Sequence, residues 1–359
     1  MSSVFSFGSG ILDENYTLKD STETTCAYII GVINKEIKRE NEAPEAQGKT
    51  PIPKIDLNPT ANVNDDRLYP VLKRAAEILK DELSLNEGPG GSVFNAQQAF
   101  KAILGDDAND IEMYHKKASL TKTVILTLKG VKIYGSVRPV RDMDLTDGEI
   151  EKVRAADLIT FPKSSMNDYP GIVEAIISHR KTGSKIVMNV HSSNKIDDMD
   201  LYMQADAWIG TVDEMKAINL AKGDEFLKKG GIIVETMGGD GVRIRCGTEF
   251  DKSYKTLKVE PEQLKGTKTG AGNGVEGVLF GYLLGKIGKA GEGLEATMKK
   301  VADLGNAAGR AVMDKMESFL SKDDHDRILK YNEDIRCLGV KELAAKRDRN
   351  SSGPQSWRM

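Results

Sequence analysis

The chain has 359 residues, 39% of them hydrophobic and 29% charged, with a formal net charge of -3. That balance argues against a dedicated nucleic-acid binder, which carries a basic face, and no apolar run reaches the roughly 18–20 residues that cross a bilayer. Three scattered cysteines and four histidines without ligand spacing give neither a disulfide framework nor a zinc site, so a reducing, cytoplasmic compartment is the expectation.

The chain opens on a short apolar strand, Val4-Phe5-Ser6-Phe7, followed by Gly8-Ser9-Gly10 and Ile11-Leu12-Asp13. Residues 35–68 interrupt the pattern with a charged run and then a Pro, Gly, Asn and Asp-rich stretch, which reads as a helix end followed by an exposed insertion. Helical periodicity resumes over Tyr69–Leu83, with Leu72, Ala75, Ala76, Leu79 and Leu83 on one face. Glu87–Ser92 reads as a turn and Val93–Leu104 as a further helix.

From residue 122 the sequence changes to short strands. Thr123–Leu128 and Val131–Tyr134 flank Lys129-Gly130 like a hairpin. With residues 14–32, the region 120–140 is expected to form a small β lid. Strands at 158–161, 185–190, 207–209 and 231–235 then alternate with helices at 172–180, 198–204 and 213–220. This alternation predicts an α/β fold with a mostly parallel sheet covered by helices on both faces. Helices dominate from Gly274 to about Lys330, and the polar, basic tail from 336 to 359 reads as a frayed terminus. One large domain over 1–335 accommodates all of this.

The most informative segment is Thr269-Gly270-Ala271-Gly272-Asn273, which ends a polar stretch and opens the apolar, glycine-spaced helix pattern Gly274–Leu284. A Gly-x-Gly turn feeding a helix aims free backbone N–H groups and the positive end of the helix dipole at one point, a seat for phosphate. A proton-abstracting enzyme would want a carboxylate next. Asn273 is an amide, which takes no proton at neutral pH.

Four segments, in order, resemble the ribokinase/PfkB family of sugar and nucleoside kinases: Gly8–Asp13, Gly90-Gly91-Ser92-Val93-Phe94-Asn95, Thr236-Met237-Gly238-Gly239-Asp240-Gly241, and Thr269–Asn273. Asn306-Ala307-Ala308-Gly309 is similar to part of the family's C-terminal helices. The resemblance implies a ribokinase-like fold, ATP and Mg²⁺ as cofactors, and a small sugar or nucleoside as substrate. It implies that Asp13, Gly91 and Asn95 hold the substrate, and that Thr236, Gly238, Gly241 and Asn306 approach the nucleotide. Gly270, Ala271 and Gly272 would then receive the charge that develops on the transferred phosphoryl group. Asn273 takes the place of the family's catalytic Asp, and Glu214 is the acidic residue that acts on Mg²⁺ through water.

Several positions depart from that pattern. Asn273 replaces the base, Thr267 and Asn189 stand where the family has Asp, and Thr211 replaces the Asn of Asn-x-x-Glu while Glu214 remains. Loss of base assistance typically costs on the order of 10²–10⁴ in rate. Three readings stay open: a kinase-like protein whose phosphoryl transfer is impaired by Asn273, an active kinase in which Asn273 is engineered or tolerated, and a non-catalytic relative acting as a sensor or as an assembly or regulatory subunit. Residues 35–68 offer a surface for a protein partner, and a homodimer through the lid is consistent with the resemblance. A dinucleotide-binding oxidoreductase built on Gly8-Ser9-Gly10 fails, because Asp13 occupies the third glycine position.

Overall fold

The computed structural model describes residues 2–19, 22–43, 49–56, 63–90, 92–128, 131–137, 144–162, 169–190, 199–216, 220–257, 271–315 and 320–337. The chain divides into two compact units, one of Met1–Gly8, Ser92–Lys116 and Asp144–Met359, the other of Ser9–Gly91 and Lys117–Met143.

In chain order the elements begin with β1 (Ser2–Leu18), α1 (Glu23–Asn41), β2 (Val63–Asn64), α2 (Leu68–Ile78), β3 (Leu83–Gly90), α3 (Ser92–Leu104), β4 (Ile111–Leu128) and β5 (Val131–Val137). They continue with α4 (Asp147–Ala155), β6 (Leu158–Pro162), α5 (Pro170–His179), β7 (Lys185–Asn189), α6 (Met199–Tyr202), β8 (Ala207–Thr211), α7 (Val212–Met215), α8 (Leu220–Lys228) and β9 (Ile232–Thr236). The hairpin β10 (Val242–Cys246) and β11 (Phe250–Tyr254) follows, then α9 (Ala271–Leu283), α10 (Leu294–Met313) and α11 over residues 325–337.

The first unit is built on a sheet in the order β11-β10-β9-β8-β7-β6-β1-β4. Neighbours from β1 through β6, β7 and β8 to β9 run parallel, and β10 and β11 close one edge antiparallel. β6 is buried at every position, as a strand covered on both faces must be. β8 shows how the two faces are filled. Trp208 stacks on Phe226 of α8 with ring centroids 3.8 Å apart, while Ala207 and Ile209 join the core formed with α3, α9 and α10. The expected alternating architecture is therefore present. Among the elements that escaped the sequence reading are α4, α8 and β11: Asp147–Ala155 buries only Val153, Leu220–Lys228 carries only a short apolar face, and Phe250–Tyr254 is exposed in its middle.

The glycines of α9 explain how three helices share that core. A methyl group at Gly277 would lie 2.6 Å from the Phe100 amide N and 2.8 Å from the Ala96 carbonyl O of α3. On another side, one at Gly274 would lie 2.9 Å from the Gly309 amide N of α10. The apolar, glycine-spaced pattern thus serves backbone-to-backbone approach.

In the second unit β1 pairs antiparallel with β3, β4 with β5 antiparallel, and β2 with β5 in parallel. α1 and α2 pack Ile29, Ile30, Ile33, Val71, Leu72 and Ala75 against Val124, Leu126 and Ile133 of this sheet. The hairpin at 123–134 is present as expected, but much of 14–32 is helix: the strand ends at Leu18 and Thr22 caps α1 by accepting from the Thr25 amide. α2 is shorter than the periodicity implied, since Leu83 leaves the helical face to start β3, and that strand runs on through the expected turn to Gly90.

In the described part of 35–68, residues 49–51, 53, 54 and 56 are exposed, while two isoleucines turn inward. Ile52 and Ile55 are each 5% exposed and belong to the core under α1. Two asparagines, seven residues apart on α1, hold this segment. Asn34 Nδ2 donates to the Ile55 carbonyl and its Oδ1 accepts from the Ile55 amide, at 2.9 and 2.8 Å; Asn41 does the same for Ile52, at 3.0 and 2.8 Å. A composition rich in turn formers concealed two isoleucines that supply apolar burial, with side-chain amides standing in for a neighbouring strand.

Candidate functional site

The C-terminal ends of parallel strands are where doubly wound sheets bind ligands, and in the first unit α9 begins there. A methyl at Gly272 would lie 3.9 Å from Thr236 Oγ1. Thr236 ends β9, directly opposite Thr211 at the end of β8, and its hydroxyl donates to the Gly210 carbonyl at 3.4 Å. The structure therefore brings together Gly272, Thr236 and the β8–α7 junction. Ala271 starts the helix, and its carbonyl O would be 3.2 Å from a methyl at Gly309. Asn273 is partly exposed in the first turn. Gly270, with Thr267 and Lys268, lies outside the described residues.

The β8–α7 junction is a capping box. Thr211 Oγ1 accepts from the Glu214 amide at 3.2 Å and Glu214 Oε2 accepts from the Thr211 amide at 2.7 Å. Thr is a good N-cap and Glu at the third helical position completes the box. One carboxylate oxygen of Glu214 is thus committed to its own helix.

The turn after β9 is shaped by two glycines. Gly238 and Gly241 take φ of +59° and +100°, the Met237 amide donates to the Gly241 carbonyl at 2.8 Å, and a side chain at Gly241 would collide with the Tyr254 carbonyl. Backbone conformation alone accounts for both glycines. Asn306, 6% exposed on α10, donates from Nδ2 to the Lys255 carbonyl at 3.2 Å and so fixes the chain as it leaves β11. Next to that exit, burial and the carboxylates of Glu295 and Asp303 push the Tyr254 phenol up to about 12.

The residues expected to hold a substrate are distributed between the units. Asn95, in the first turn of α3, is 4% exposed, and its Oδ1 is buried without a hydrogen-bond partner among the described residues. Asp13 lies on β1 in the second unit, opposite Gly88 of β3. Gly91 is outside the described residues.

One residue was passed over in the sequence. Glu276, on α9, is completely buried; its Oε2 accepts from Asn189 Nδ2 at 2.6 Å and its Oε1 from Thr160 Oγ1 at 3.3 Å. The signal was there, because Glu276 is the single charge in the apolar stretch Gly274–Leu284.

Among the described residues no group of three or more His, Cys, Asp or Glu side chains is placed to hold a metal ion. None of the described helices is long and apolar enough to cross a membrane.

A mainly parallel sheet with helices on both faces and a glycine-rich helix start at its C-terminal edge defines the class: an open α/β fold. Comparison with solved structures narrows this to the ribokinase-like fold. Adenosine kinase from Schistosoma mansoni in complex with 2-fluoroadenosine matches with a TM-score of 0.62 at 11% identity, covering 89% of this chain and 98% of that one. Adenosine kinase from Sinorhizobium meliloti matches at 0.59 and 15%, covering 89% and 95%. Ribokinase from Thermotoga maritima matches at 0.54 and 14%, covering 92% and 100%. No sequence-family profile matches the chain, and no curated protein sequence does.

Proposed function

We propose that this chain binds ATP with Mg²⁺ and a small nucleoside or sugar, and that phosphoryl transfer to a hydroxyl of that molecule is slow because position 273 is an amide. The observation that carries this reading is the start of α9, where Gly272 presents no side chain towards Thr236 and Asn273 follows in the first turn.

The residues present suit a polyphosphate. First-turn N–H groups favour anions, and the absence of a side chain at Gly272 leaves room for one. Nucleotide-bound magnesium is held largely by phosphate oxygens and water, so it requires no dense carboxylate cluster; Glu214 would act on it through water. Bound ATP supplies the phosphoryl group, and Mg²⁺ offsets its negative charge. The backbone N–H groups of Ala271 and Gly272 open α9 and would meet the charge that develops, with Gly270 assigned the same role by the family resemblance. Thr236, Gly238, Gly241 and Asn306 shape the nucleotide side. By the family resemblance Asp13, Gly91 and Asn95 would orient the hydroxyl; for Asn95 this is supported by an Oδ1 that has no hydrogen-bond partner among the described residues. Asn273 can donate a hydrogen bond to the attacking oxygen or accept one from its O–H, but does not take the proton away. Positioning and electrostatics account for most of this chemistry, so a residual rate is expected. Adenosine is the first substrate to test, and ribose the second.

The experiment pairs the natural chain with Asn273→Asp in ATP-dependent phosphorylation of adenosine, other nucleosides and sugars. The substitution should raise turnover by about 10²–10⁴. MgATP should also raise the thermal midpoint of the natural chain; a midpoint indifferent to MgATP would sink the reading. The commitment of Glu214 Oε2 to a helix cap favours a second reading, a nucleotide-binding sensor or assembly subunit without turnover. That reading gains if MgATP binds and Asn273→Asp remains inert.

A further inference from the structure

We propose that Glu276 is a positioning residue, the carboxylate that sets the first turn of α9 against the ends of the sheet and thereby aims the Gly272 and Asn273 amides. This deepens the nucleotide-binding reading and rests on it. Glu276 is fully buried, and its two oxygens accept from Asn189 at the end of β7 and Thr160 within β6. These strands are adjacent and parallel, with Pro162 opposite Asn189. A buried carboxylate is tolerated only where donors meet it, so the location of those donors dictates both the rotation and the height of α9.

Gly274 and Gly277 let α9 close against α10 and α3, and Val275, Val278, Leu279 and Phe280 pack it into the core; the hydrogen bonds to Glu276 add a directional tie to the sheet that apolar packing lacks. Residues three apart on a helix lie on neighbouring positions of one face, so the anchor at 276 is about one turn along α9 from Asn273. The amide at 189 is essential to the arrangement. A carboxylate there would place two acids in hydrogen-bond contact, and they could coexist only by sharing a proton.

The test uses the full chain with Glu276→Gln, Asn189→Asp and the double variant N189D/E276Q. Binding of MgATP and of adenosine, which carries no phosphate, is measured by calorimetry, and the amides at 275–278, in the second turn of α9, are followed by hydrogen exchange without ligand. Glu276→Gln should weaken MgATP roughly tenfold and leave adenosine within about twofold, the size expected from losing a hydrogen bond to a charge. Its amides at 275–278, which are bonded back along the helix, should exchange roughly tenfold faster over the same loss. Asn189→Asp should bind MgATP better as pH falls, and N189D/E276Q, which restores one acid and one amide, should recover affinity and remove the pH dependence. Equal loss of MgATP and adenosine, no change in α9 exchange, or no rescue in the double variant overturns the proposal. If Glu276→Gln does not fold, Thr160→Val removes one donor while keeping the charge, and it is judged by the same ratio of MgATP to adenosine. If the natural chain fails to bind MgATP, the nucleotide reading falls, while the exchange measurement still decides whether Glu276 holds the turn.

Discussion

Gly272 faces the hydroxyl of Thr236 with room for a methyl group at 3.9 Å, an ordinary van der Waals separation. Stability and ligand binding should therefore separate at this position. In Gly272→Ala, the first-turn helical backbone suits alanine, whose unfolded chain has less conformational freedom to lose, by roughly 0.4–1 kcal/mol, so thermal or urea unfolding should show equal or higher stability. The added methyl nevertheless occupies the space proposed for a phosphate, and the MgATP-induced rise in midpoint should shrink or vanish. Undiminished MgATP stabilisation would show that the ligand does not approach Gly272.

Gly277→Ala should behave oppositely. Its methyl would meet backbone atoms of α3, the Phe100 N at 2.6 Å and the Ala96 O at 2.8 Å, and backbone cannot rotate aside as a side chain can. Overpacking of this kind costs about 1–3 kcal/mol, against a small propensity gain. Urea denaturation should report a lower midpoint with little change in slope.

The clamp formed by Asn34 and Asn41 predicts a local effect in the second unit. Asn34→Ala strands the buried amide and carbonyl of Ile55, and Asn41→Ala those of Ile52. Each should cost about 1–3 kcal/mol where the groups stay buried, or free residues 49–56 where they do not. Limited proteolysis should therefore cut within 49–56 faster in either variant, and faster again in the double variant. Unchanged cleavage would mean that burial of Ile52 and Ile55 holds the segment by itself.

Asp324 provides a pH test. Burial alone would raise its carboxyl, but hydrogen bonds from Lys315 and the Ser321 amide outweigh this and hold it below the ordinary aspartate value. The native state thus binds its proton less readily than the unfolded chain does. The stabilisation is full above the unfolded value of about 4 and is lost as pH falls through the lower native value. Asp324→Asn should destabilise the protein at pH 7, with the difference from the natural chain narrowing on acidification below about 4. A difference that stays constant from pH 7 into the acid range would assign the effect to packing.

The alternation of strand and helix patterns from 158 to 246, and the Gly-x-Gly start of the helix at 271, were legible because both follow from local chemistry. Parallel strands covered on both faces are apolar almost throughout, as at 158–162, where Thr160 is the one polar residue, and a helix that starts among glycines announces itself by composition. The identity of Asn273 was equally plain, and with it the question of how a proton would leave. Other features depended on partners distant in sequence. Ile52 and Ile55 looked like parts of a loop until Asn34 and Asn41 supplied their hydrogen bonds. Glu214 carried a signal compatible with metal chemistry and with a helix cap, and only the fold placed the Thr211 amide on its oxygen. Glu276 stood as a solitary charge in an apolar run. That it meets Asn189, 87 positions away, depends on where β7 ends beneath α9, a matter of sheet order and helix packing that local sequence does not encode.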